Sequence, residues 1–260
     1  IARLANKPSL YGPVRKNLSM YQYYIEPNGD LVRNDSRRQD QYEYAARTST
    51  LFYLQYRFMA VHEKNKLFAA ICKQIEATKD FEKDVLTRSL FYFLEDETLQ
   101  QQLPTADVLP ERYEKLFPTS HLLRIKEKNT TMTLFGGVDW PLVIASGRSN
   151  SPDFFSYRKG DAILKYMRLS SNFFSMGYFY SDGLQKEGNS YVLRKKLEIP
   201  YYQPLPKEKR KANGDYKLSP SIDDRFWNKM DFANRPVSNL KTMETTIAFK
   251  ETNGTVELTF

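Results

Sequence analysis

The stretch YYQPLPKEKRK, residues 201–211, sets two phenol rings, Tyr201 and Tyr202, beside four basic side chains, Lys207, Lys209, Arg210 and Lys211, with Pro204 and Pro206 between them. Rings offer broad apolar faces with a polar tip, which suits sugars. Guanidinium forks grip carboxylate or sulfate. Downstream, SIDDRFW adds Arg225 and Trp227, and upstream IASGRSNS places Arg148 on a loop after a glycine, free to reach a ligand. Arg148, Tyr201, Tyr202, Arg225 and Trp227 are therefore the expected substrate-binding set for an acidic saccharide. A plainer reading competes with it: a strand that turns at two prolines and runs into a solvated basic loop.

Other chemistries have less to work with. The two histidines, His62 and His121, and the single cysteine, Cys72, lack the spacing of a zinc site, so no metal is expected. There is no G-x-S-x-G, no P-loop and no dinucleotide fingerprint, which removes local support for acyl, phosphoryl and hydride transfer and for any cofactor. Carboxylate pairs in SIDDRFW and LEDET have the composition of a glycosidase acid and nucleophile, and equally that of a solvated surface. Tyrosine is abundant, with 18 residues, and a phenol beside an arginine becomes a usable base once the positive charge lowers its pKa from about 10.

The elements that must position these groups change character along the chain. In MYQYYIEPNGDLVRN two β-prone runs flank Pro27, Asn28 and Gly29, a hairpin signal. Tyr42, Ala45, Ala46, Ser49, Phe52, Tyr53, Tyr56 and Ala60 then recur at three and four residues, which predicts a long helix capped by Asp40. A second helix carries Leu67, Phe68, Ile71, Cys72 and Ile75, and a third, capped by Asp80, carries Phe81, Val85, Leu86, Phe93 and Leu94. Pro104, Pro110 and Pro118 break the pattern, so QQLPTADVLPERYEKLFPTS reads as a crossing segment. From about Ser120 short β-rich runs alternate with turn pairs such as Gly160-Asp161, Gly188-Asn189 and Asn253-Gly254. The expectation is an α+β protein: residues 1–118 mainly helical, with the hairpin near 20–34, and residues 119–260 an antiparallel sheet or sandwich.

The 260 residues carry a formal charge of +8, which draws acidic partners by long-range attraction: polysaccharide, nucleic acid or anionic membrane. No run of about 18 apolar residues exists to span a bilayer. Basic and aromatic residues interleave in YFYSDGLQKEGNSYVLRKKLEIPYY as single-strand binders require. Scattered acids and the absence of an RNP-like or finger motif rank nucleic acid below saccharide. No signal peptide is visible. The start at Ile1 and the stop in strand-like GTVELTF suggest a piece of a longer protein.

Three stretches taken together, YYIEPNGDLVRNDSRRQDQYEYAARTSTLFYLQYRFMA, GDAILKYMRLSSNFFSMGYF and IPYYQPLP with DDRFWNKMDFANRP, resemble heparinase II/III-like proteins of an uncharacterised bacterial branch. The resemblance spans most of residues 20–260. It implies the last helices of an (α/α) toroid followed by the start of a β-sandwich, and a periplasmic or extracellular protein. Enzymes of that family cleave acidic polysaccharides by β-elimination: a cationic or amide side chain neutralises the uronate carboxylate, Tyr or His takes the C5 proton, and Tyr protonates the leaving oxygen. The family's His-x-His-Ala-Asp segment has no counterpart here, and the upstream toroid that supplies its other catalytic groups is missing from this chain. No catalytic residue is assigned on this basis. The alternative is a non-catalytic glycan-binding or structural module.

Overall fold

The chain's structure is a computed structural model that describes residues 1–35, 48–79, 81–137, 151–174, 177–219 and 229–260. A 3-10 turn (Pro8–Leu10) opens α1 (Tyr11–Tyr21), which sequence periodicity had not marked. MYQYY is accordingly helical, ending in a second 3-10 turn (Gln22–Tyr24), and the expected hairpin shrinks to one bridge between Ile25 and Leu31. Its turn chemistry is as read: Gly29 sits at φ +87°, and the Asn28 side chain accepts the Asp30 N–H at 3.2 Å.

A 3-10 turn (Ser49–Phe52) precedes α2 (Tyr53–His62), and Tyr53, Tyr56 and Ala60 are buried as the spacing requires. The Asp40 cap and the positions Tyr42, Ala45 and Ala46 lie outside the described residues, as does the Asp80 cap. In α3 (Lys66–Glu76) Phe68, Ile71, Cys72 and Ile75 are buried, and Asn65 caps the helix by accepting the Phe68 N–H at 3.0 Å. The third stripe needs correction. A π-helical turn (Glu82–Leu86) leads into α4 (Thr87–Glu95), and its wider turn rotates the stripe. Val85 stays buried and Phe81 and Phe93 pack on the helical core, while Leu86 and Leu94 turn out to solvent. A short α5 (Glu97–Gln100) follows.

The first sheet is an antiparallel meander of β1 (Arg112–Phe117), β2 (Leu122–Glu127), β3 (Thr130–Phe135), β4 (Phe155–Lys159) and β5 (Ala162–Met167). It begins inside the stretch read as a crossing segment. The second is a meander of β6 (Leu184–Glu187), β7 (Ser190–Tyr202), β8 (Val237–Thr252) and β9 (Thr255–Thr259). Strands were also expected in NFFSMGYFYS and RFWNKMDFA. Their described parts contain only a bridge from Ser170 to Tyr178 and a 3-10 turn (Phe232–Asn234). Fold class is thus α+β, with helices ahead of two antiparallel sheets.

Alternation explains the layering. Leu123 and Ile125 of β2 pair with Leu134 and Met132 of β3, and this face shares one core with Leu193, Ile247 and Phe249 of the second sheet, as in a sandwich. The opposite face of the same strands presents Leu122, Arg124, Thr131, Thr133 and Phe135. It is buried too, because Tyr24 and Val32 lie over Leu122 and Phe135, and Glu26 meets Arg124 at 3.0 Å. Among the described residues no helix is long and apolar enough to cross a membrane.

Candidate functional site

Pro200 sits where β7 slips against β8, between the pairs Ile199 with Lys241 and Tyr201 with Ser238. Proline has no N–H to donate, so a bulge is its natural place in a sheet. Beyond it Tyr201 and Tyr202 close the strand with 59% and 38% of their surface exposed, and Tyr202 packs its ring on Phe232 at 4.7 Å. The chain then makes a long excursion. Gln203 ties both ends of it, its N–H to the Pro236 carbonyl at 2.8 Å and its side chain to the Ser238 hydroxyl at 2.6 Å.

Within the excursion the basic run forms a 3-10 turn (Lys207–Lys209), and residues 207–211 are all exposed. Arg210 folds back so that Nε donates to the Leu205 carbonyl at 2.9 Å, and the Tyr216 hydroxyl receives the Lys211 N–H at 2.7 Å. Arg235 donates Nη1 to the Gln203 carbonyl at 3.3 Å. These bonds shape a groove of about 430 Å³ whose wall includes Arg210, Tyr216, Lys229, Asp231 and Arg235. Its volume lies within the range of sites that hold small ligands. Among the described residues the lining includes the cations Arg210, Lys229 and Arg235 and the carboxylate of Asp231, which the Asn234 amide engages at 3.0 and 2.9 Å. Neither Arg210 nor Arg235 has an ion-pair partner among the described residues. Arg210 is exposed and spends one donor on a carbonyl, which leaves its remaining donors for an anion, whereas Arg235 is half-buried and its Nε is buried without a partner among the described residues.

Of the expected set, then, Tyr201 and Tyr202 are exposed at the end of β7 and are not among the residues lining the groove, while Arg148, Arg225 and Trp227 lie outside the described residues. Sequence reading missed Arg210, Lys229 and Arg235 as a group, because nothing local says that residues 19 and 25 positions apart meet. The run KEKRK had drawn attention to Arg210, and its neighbours reach solvent as the plainer reading held.

The other candidate groups have structural employment. Asp96 of LEDET caps α5, accepting the Thr98 N–H at 3.0 Å, and Arg3 pairs with it at 3.2 Å; the SIDDRFW pair lies outside the described residues. His62 rests against Tyr11 and Phe58 at 4.5 and 5.4 Å. His121 holds a left-handed turn at φ +51° before β2. No group of three His, Cys, Asp or Glu side chains suited to a metal occurs among the described residues. Among the described residues burial raises the phenols of Tyr24, Tyr53, Tyr56, Tyr113 and Tyr191. Three of them also donate to a carboxylate, Tyr24 to Asp35, Tyr53 to Glu76 and Tyr191 to Glu114, which holds the proton on the ring. A tyrosine base needs the opposite.

Comparison with protein-family models, with curated proteins and with solved structures finds no match to this chain.

Proposed function

We propose that this chain recognises an acidic, uronate-containing polysaccharide, and that the groove between residues 204–218 and 229–235 receives the anionic group of a sugar. One observation carries the reading: Arg210, Lys229 and Arg235 line a groove of about 430 Å³ together with Tyr216, on the segment that directly follows the exposed Tyr201 and Tyr202 in the chain. Rings supply the stacking face and guanidiniums the forked donors that carboxylate and sulfate accept. The formal charge of +8 adds long-range attraction.

The resemblance to heparinase II/III-like proteins extends the proposal to a polysaccharide lyase of the periplasm or cell exterior, with this chain holding the substrate. β-Elimination needs a group that stabilises the developing enolate and a base at C5. Arg210 or Arg235 suits the first role by charge. The upward-shifted phenols favour a second reading, a glycan-binding module whose catalytic partners, where they exist, lie elsewhere. Absorbance near 232 nm, where an unsaturated uronate absorbs, separates the two when the chain is incubated with polygalacturonate and chondroitin sulfate. A rise supports a lyase; retention of those polymers without a rise supports the binding module; neither rise nor retention overturns both.

A further inference from the structure

Across the first sheet Tyr113 of β1, Lys126 of β2 and Thr131 of β3 stand directly opposite one another, so their side chains share one face. Gln22 of the segment before the 25–31 turn and Gln74 of α3 join them around a cleft of about 40 Å³. This cleft shares no lining residue with the groove proposed for saccharide.

Lys126 stands out there. It is half-buried, and among the described residues its ammonium has neither an ion pair nor a hydrogen bond. Among those residues no carboxylate lines the cleft. Glu26 is taken by Arg124 at 3.0 Å and by the Thr131 hydroxyl at 2.5 Å, so it and Glu111 act on Lys126 through their charge alone. Ile25, Ile71 and Leu109 give the cleft apolar wall. Burial accordingly lowers the Lys126 pKa against the pull of Glu111 and Glu26, whereas the carboxylates bound to Lys186 and Lys196 raise theirs. An ammonium denied both water and a counter-ion sheds its proton more readily, and the free amine is a nucleophile.

The neighbours suit that chemistry. Burial raises the Tyr113 phenol although the Arg124 charge opposes it, so the ring keeps a proton to donate. Tyr23 braces that ring edge-on at 5.1 Å. Gln22 spends its amide N–H on the Ser19 carbonyl at 2.7 Å and Gln74 on the Glu26 carbonyl at 3.3 Å, which leaves two amide oxygens as acceptors. With a water needing about 10–15 Å³, the space takes roughly three waters or one molecule of about four non-hydrogen atoms.

From this arrangement we infer that Lys126 captures a small neutral aldehyde as an imine, with Tyr113 as proton donor. The amine nitrogen attacks the carbonyl carbon, and the C=O electron pair moves to oxygen. That oxygen takes the Tyr113 proton while nitrogen returns one to the phenolate, giving a carbinolamine. Its hydroxyl leaves with a second proton as water, and the C=N bond remains; nothing is oxidised or reduced.

Reductive trapping tests the assignment: the whole chain is treated with glycolaldehyde and cyanoborohydride at about pH 7.5 and its peptides are followed by mass mapping. Lys126 should be modified at least about tenfold faster than the exposed Lys207 and Lys209, a preference that urea should abolish. Tyr113→Phe should slow Lys126 several-fold and leave Lys207 as it was, and Arg210→Ala should change neither rate. Benzaldehyde, too large for the cleft, should show no preference for Lys126. Parity of Lys126 with Lys207 and Lys209 in the folded native chain, slower modification of Lys126, or a rate that Tyr113→Phe leaves unchanged overturns the inference.

Discussion

Replacing Glu26 by glutamine is expected to destabilise the chain more than removing any exposed ion pair, because Arg124 is wholly buried. Its guanidinium meets Glu26 at 3.0 Å, donates Nε to the Tyr23 carbonyl at 2.8 Å, and donates Nη1 to the Met132 carbonyl at 3.2 Å and the Thr133 hydroxyl at 2.5 Å. Thr131 donates its hydroxyl to the second oxygen of Glu26 at 2.5 Å. Burial opposes the charge on Arg124, yet the Glu26 carboxylate and Tyr113 hold its pKa above the ordinary value. Glu26→Gln strands that charge inside the sheet. Breaking one side of a buried pair costs about 3–5 kcal/mol, whereas an exposed pair such as Lys73 with Glu76 contributes less than about 1 kcal/mol. Arg124→Met should cost a similar amount through Glu26. The double variant Glu26→Gln, Arg124→Met removes both charges together, so its loss should fall short of the sum of the single losses by at least about 2 kcal/mol. Urea unfolding of the native chain and three variants gives the four midpoints and slopes needed. Additivity within about 0.5 kcal/mol, or a Glu26→Gln loss below about 1 kcal/mol, would refute the idea that this pair clamps the 25–31 turn to the sheet.

Three further outcomes are expected. Gly29→Ala lowers Tm, since the backbone there is left-handed at φ +87° and a Cβ would stand 2.4 Å from the Thr78 methyl; differential scanning calorimetry should show a loss of about 1–2 kcal/mol or more. Asp30 has its carboxyl held below the usual range, so its contribution is present above the unfolded pKa, near 3.9, and is lost as pH falls through the lower folded value. Asp30→Asn should therefore flatten the acid limb of a stability profile below about pH 4, and an unchanged limb would contradict the pairing with Arg158 and Lys165. Burial pushes the Cys72 thiol up to about 12, so a disulfide reagent at pH 8 should label it only after denaturant is added, with immediate labelling of the folded chain as the contrary result.

Legibility in the sequence followed the range of the interactions. The helix through Phe68, Ile71, Cys72 and Ile75 was plain because its apolar spacing is local, and so was the Asn253-Gly254 turn, whose φ values of +50° and +82° suit those two residues. Leu86 and Leu94 were misplaced because a π-helical turn shifts the face without any mark in the apolar spacing. β1 was missed behind Pro110 and Pro118, since RYEKLF becomes a strand by pairing with LLRIKE and carries little alternation of its own. Nothing in the sequence singles out Arg124 as a buried charge. Only Glu26, 98 positions earlier, makes its burial possible. At the candidate site, Tyr201 and Tyr202 were marked in the sequence by their place before two prolines and a basic run, whereas the meeting of Arg210 with Lys229 and Arg235 along one groove depends on the bonds that close the excursion at Gln203.

Binding to a uronate polymer tests the central claim most directly. Affinity electrophoresis of the native chain through gels containing polygalacturonate, with a neutral dextran gel as control, should show retardation in the first alone. Arg210→Ala should weaken it about tenfold, the loss of a charge-assisted hydrogen bond. Equal mobility in both gels, or retardation that Arg210→Ala leaves untouched, would contradict the account. Competition by single-stranded DNA with a steep salt dependence would instead point to a nucleic-acid surface.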